Sequence, residues 1–134
     1  MKQGFEATTR DIMVEVQVFY LDDQSSPAEG QFVWAYHVSI INHGTMTIQL
    51  LRRSWRITDA HGRIRHVHGE GVVGEQPILT PGKHYNYTSG AVLAMPSGFM
   101  AGQYHMREMP SGALFDVEIP AFNLDSPHGD NRRH

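Results

Sequence analysis

From Ile12 to Tyr20 the chain sets Ile12, Val14, Val16, Val18 and Tyr20 on alternate positions, with Glu15 and Gln17 between them, and this two-residue period constrains the fold more than any other feature. Side chains of a strand alternate between its two faces, so the pattern describes a strand with one face in a core. Wound as a helix, the same residues would scatter around the cylinder and leave no apolar stripe. Residues 31–41 repeat the period with Phe32, Trp34, Tyr36, Val38 and Ile40, and such large aromatics suit the centre of a sheet. No long window carries a 3.6-residue repeat, which argues against a helical or α/β fold.

Further extended segments are expected at residues 45–58, 64–68, 85–93, 98–106 and 113–122. In the first of these the apolar face switches near Leu50 and Leu51, which predicts a bulge. Turn formers separate the segments: the polar run from Asp22 to Gly30, Asn42-His43-Gly44, Asp59-Ala60-His61-Gly62-Arg63, Met95-Pro96-Ser97-Gly98 and Met109-Pro110-Ser111-Gly112. Residues 69–82 hold four glycines and two prolines, too many breakers for a regular element, and are expected to form a long structured loop. About seven to eight short strands at this spacing make an antiparallel β-sandwich.

A chain of 134 residues suits one core, expected over residues 1–124 and followed by a polar, disordered tail at residues 125–134. With a formal net charge of −3 there is no global positive field, and no nucleic-acid partner is expected. The absence of cysteine excludes disulfides and thiolate chemistry and suits a reducing compartment. The first ten residues hold no apolar segment of the signal-peptide kind, and no apolar run approaches the ~18 to 20 residues that span a bilayer. A cytoplasmic location without membrane insertion is expected.

Gly69-Glu70-Gly71-Val72-Val73-Gly74 has the spacing of a dinucleotide-binding loop. That chemistry needs a helix after the glycines to offer its terminal amides to a phosphate, and Glu75-Gln76-Pro77 cannot start one. Two readings remain for Gly69, Gly71 and Gly74, together with Glu75 and Gln76. The glycines serve turns and close backbone approach, or the segment forms an amide nest for an anion such as phosphate or a partner carboxylate.

Among nine histidines, His66 and His68 share one face of a strand, and a third ligand such as His84, His105 or Glu70 would let them hold a divalent ion. The alternative is solvent-facing or hydrogen-bonded imidazoles. Arg53 and Trp55 are expected on one face of their strand, with Arg52 and Arg56 on the other. No serine stands in a Gly-x-Ser-x-Gly elbow; Ser89-Gly90 and Ser97-Gly98 read as turns, and no acid–base pair is nominated.

Gly69-Glu70-Gly71-Val72-Val73-Gly74-Glu75-Gln76-Pro77, Pro81-Gly82, Tyr85-x-Tyr87-Thr88-Ser89-Gly90 and Met95-Pro96-Ser97-Gly98-Phe99-Met100-x-Gly102-x-Tyr104-x-Met106 together resemble the ApaG family, also called CorD. The resemblance runs over essentially the whole chain. It implies a fibronectin type III-like, immunoglobulin-like sandwich, an association with cobalt tolerance and magnesium efflux, and kinship with interaction modules of eukaryotic F-box proteins and of a DNA polymerase δ-interacting protein. It implies no cofactor, no catalytic residue and no fixed ligand set.

The sequence thus favours a non-enzymatic binding module that engages a protein partner through sheet face, sheet edge and the loop at residues 69–82. The alternative is a binder of a divalent metal ion, or of a phosphate- or pyrophosphate-containing ligand, through the histidines or the Gly-rich loop. A homodimer through an unpaired edge is left open.

Overall fold

A computed structural model of the chain describes residues 2–129. Nine strands follow in order: β1 (Lys2–Thr9), β2 (Ile12–Tyr20), β3 (Phe32–Asn42), β4 (Thr47–Asp59), β5 (Ile64–Glu70), β6 (Ile78–Leu79), β7 (His84–Leu93), β8 (Gly98–Met109) and β9 (Leu114–Leu124). One sheet has the order β1-β2-β3-β7, and the other has the order β5-β4-β8-β9 with β6 paired to β4. All pairings are antiparallel. The fold is therefore the all-β antiparallel sandwich that the alternation predicts.

Two strands, β1 and β6, lie outside the seven extended segments expected. In β1, Gly4, Glu6 and Thr8 are exposed while Phe5, Ala7 and Thr9 are half-buried, too few apolar residues to display a period. Its pairing with β2, which sets Phe5 opposite Val16 and Ala7 opposite Val14, supplies what local sequence lacks. The two-residue β6 lies inside the predicted loop. Ser89-Gly90, expected as a turn, lies within β7 opposite Tyr36 and Ala35; the ladder to β3 holds the backbone extended despite the glycine's own preference.

The core forms where the two apolar faces meet. Trp34, Val38, Ile40, Tyr104, Met106, Val117 and Leu124 are buried. Tyr36 and Trp55 meet edge-on at 5.5 Å between ring centroids, and Phe122 packs against Trp55 at 6.0 Å, geometries that aromatic quadrupoles favour. Trp34 donates its indole N–H to the Asp125 carbonyl at 2.8 Å, so the largest core side chain leaves no polar atom unsatisfied. The expected bulge in β4 falls between Leu50 and Arg52.

Beyond β9, Ser126 is buried and donates to the Pro96 carbonyl at 2.7 Å, while His128 packs edge-on against Tyr20. Residues 130–134, the rest of the expected tail, lie outside the described residues.

Candidate functional site

The Gly-rich segment closes on itself. Val72 and Glu75 exchange backbone hydrogen bonds at 2.8 and 2.9 Å, and the two residues between them, Val73 and Gly74, have φ of 42° and 83°. Positive φ at both central positions is the geometry of a type I′ turn. Gly71 donates to the Leu51 carbonyl at 2.8 Å; its φ is +60°, and a Cβ there would lie 2.2 Å from the Glu75 carbonyl oxygen. Only glycine fits that position.

The turn rests on β4. Arg53 donates from Nη1 to the Glu70 and Gly71 carbonyls at 3.1 and 2.8 Å, and its guanidinium occupies the space a Cβ on Gly69 would need. Gln76 donates to the Leu51 carbonyl at 2.9 Å, and Gln49 donates to the Gln76 carbonyl at 3.1 Å. The N–H groups of Gly71, Val72 and Glu75 are therefore bonded within the protein, which leaves the segment poor in the convergent free amides of an anion nest. At its tip Val73 is 58% exposed.

Below the loop the two sheets share a polar seam. The Tyr87 and Tyr104 hydroxyls hydrogen-bond to each other, and burial pushes both well above the ordinary phenol range; the hydrogen bond with Tyr104 opposes the shift of Tyr87, and the Arg53 charge opposes both. Tyr36 is shifted the same way by burial, with Ser89 and Arg53 opposing. Burial also raises Tyr85, and the nearby Glu75 carboxylate adds to the shift.

The outer face of the β5-β4-β8-β9 sheet carries a second cluster. His68 Nδ1 lies 3.0 Å from Ser54 Oγ, Ser54 Oγ lies 2.7 Å from His105 Nε2, and His105 Nδ1 lies 2.7 Å from Asp116 Oδ1. Cross-strand register builds this line, since Ser54 opposes His68 on one side and Gln103 on the other, and His105 opposes Asp116. Beside it Ser54, Arg56, His66, His68, Gln103 and Glu118 line a shallow cavity of about 240 Å³.

His66 and His68 do share a face, with rings parallel within 5° and centroids 6.4 Å apart. His84 lies on the other sheet, and His105 is turned to Ser54 and Asp116. Among the described residues no three His, Cys, Asp or Glu side chains form a metal-holding group. Arg52 and Arg56 lie on the outer face and Arg53 and Trp55 on the inner one, as alternation predicts. Ser54 and Asp116 escaped the sequence reading, and His105 entered it only as a possible metal ligand, because no local motif joins the three.

A family model described as the ApaG domain matches residues 22–108. A relative called Protein ApaG from Paramagnetospirillum magneticum is 60% identical over 124 residues, which are 92% of this chain and 95% of the relative. Another of that name, from Rhodospirillum centenum, is 56% identical over 128 residues, 96% of this chain and 98% of the relative. A crystal structure of a Bordetella pertussis protein under the name ApaA superposes with a TM-score of 0.84 at 43% identity, over 89% of this chain and 96% of that one.

Proposed function

The chain belongs to the ApaG family, and we propose that it works as a protein-binding module whose contact surface is centred on the turn at residues 72–75. The observation that carries this reading is Val73. A β-branched side chain in the left-handed region is strained by about 1 to 2 kcal/mol, and this one is exposed, so the core does not repay the strain. Strain held by a rigid surround at a surface position marks a site shaped for contact with something else.

Ile78, 54% exposed just after the turn, extends the apolar surface, and the tethers to Arg53, Gln76 and Gln49 hold it in shape before binding. Pre-organisation of this kind lowers the ordering cost of association. The bonded amides of the loop favour a protein surface over a phosphate as its ligand. The partner meets this surface in the cytoplasm, and the cobalt and magnesium association implied by the resemblance acts through that partner.

The test is affinity capture with the wild-type chain and with Val73→Asn as parallel baits, each protein quantified. Asparagine keeps the left-handed turn and removes the apolar knob. Specific partners are expected to fall at least about tenfold on the variant, the effect of removing one well-buried interface anchor; equal recovery on both baits would remove the turn from the proposal.

A further inference from the structure

The line from His68 to Asp116 has a definite direction. Asp116 as a carboxylate only accepts, so His105 donates to it from Nδ1. In the neutral imidazole Nε2 then carries the lone pair, and the Ser54 hydroxyl donates to it. With its proton spent there, Ser54 accepts from His68 Nδ1. Nucleophile, base and orienting carboxylate stand in the relation of a Ser-His-Asp triad, which geometry defines whatever the fold or chain order.

We propose that Ser54 is an activated nucleophile, with His105 as its general base and Asp116 as the positioning residue, and that it accepts acyl groups from esters with good leaving groups. As Ser54 Oγ forms its bond to the carbonyl carbon of an activated ester, its proton passes to His105 Nε2. The tetrahedral adduct collapses by breaking the bond to the alcohol or phenol oxygen, which departs with the electron pair and takes the proton from His105. The product is acyl-Ser54 and a free alcohol or phenol.

Two further features set the substrate class. Arg52 and Arg56 stand two residues to either side of Ser54 on the same face, are exposed, and pair with no carboxylate among the described residues. Their charge favours anionic donors and stabilises the oxyanion. β4 is flanked by β5 and β8 at Ser54, so its ladder leaves no pair of convergent backbone N–H groups to form an oxyanion hole. That restricts the chemistry to donors whose leaving group needs little help.

The test uses the full chain with a fluorophosphonate probe and with p-nitrophenyl acetate, the adduct mapped by peptide mass spectrometry. Ser54 is expected to label at least about tenfold faster than any other serine. His105→Ala should reduce its rate to that of the other serines, and Asp116→Asn should slow it at least about tenfold by misplacing the imidazole tautomer. The wild-type rate should climb with pH as the base loses its proton and then level off, and that rise should vanish in His105→Ala. Thermal melts establish that each variant is folded. Labelling spread evenly over serines, Ser54 labelling that survives either substitution, or a pH profile unchanged in His105→Ala would overturn the assignment.

Discussion

Val73 departs from its own conformational preference, and that departure has a measurable cost. Asparagine tolerates the left-handed region and valine does not, so Val73→Asn should stabilise the fold by about 1 kcal/mol, a rise in Tm of about 3 °C for a domain of this size. A variant that binds less and melts higher would separate function from stability at one position. Nothing in the sequence around Val73 announced this, because a valine before a glycine reads as an ordinary loop residue. Its significance lies in the φ of 42° and in an exposure that only the folded backbone fixes.

Among the elements, β4 serves both faces of its sheet through adjacent residues. Arg53 reaches the carbonyls of Glu70 and Gly71 on one side, and Ser54 holds the two histidines on the other. Alternation made the division of faces legible, Arg53 with Trp55 and Arg52 with Arg56. What each side chain touches was not legible. Ser54 meets His105 across 51 residues and His105 meets Asp116 across 11, and no local period reveals that β8 lies between β4 and β9. The loop glycines, equivalent in the sequence, also separate here. A Cβ on Gly71 would strike a backbone carbonyl, whereas one on Gly74 would meet open space. Gly71→Ala is therefore expected to cost more than the ~1 kcal/mol of left-handed strain that limits Gly74→Ala; denaturant titration of both variants checks the order.

At the scale of the molecule, the sandwich buries tyrosine hydroxyls at the seam between its sheets, and this links stability to alkaline pH. Burial raises the Tyr87 and Tyr104 hydroxyls above their unfolded value of about 10. The folded state thus holds these protons more tightly than the unfolded state. Their contribution is complete below about pH 10 and is lost as pH rises from there through the folded values. Stability should fall between about pH 8 and about pH 11, and replacing both tyrosines by phenylalanine should shrink that fall, as read by denaturant midpoints at the two pH values. The sandwich itself was open to reading from strand period and turn spacing, but this seam was not, since it depends on which strands face each other across the core.

The central claim is that the turn at residues 72–75 meets a protein partner, and site-specific photocrosslinking in living cells of the native host tests it most directly. A photoreactive residue at position 73, with the exposed Gln17 of β2 as control position, is expected to yield a discrete adduct with one or a few proteins from position 73 alone. No adduct from position 73, or the same adducts from both positions, would contradict the account.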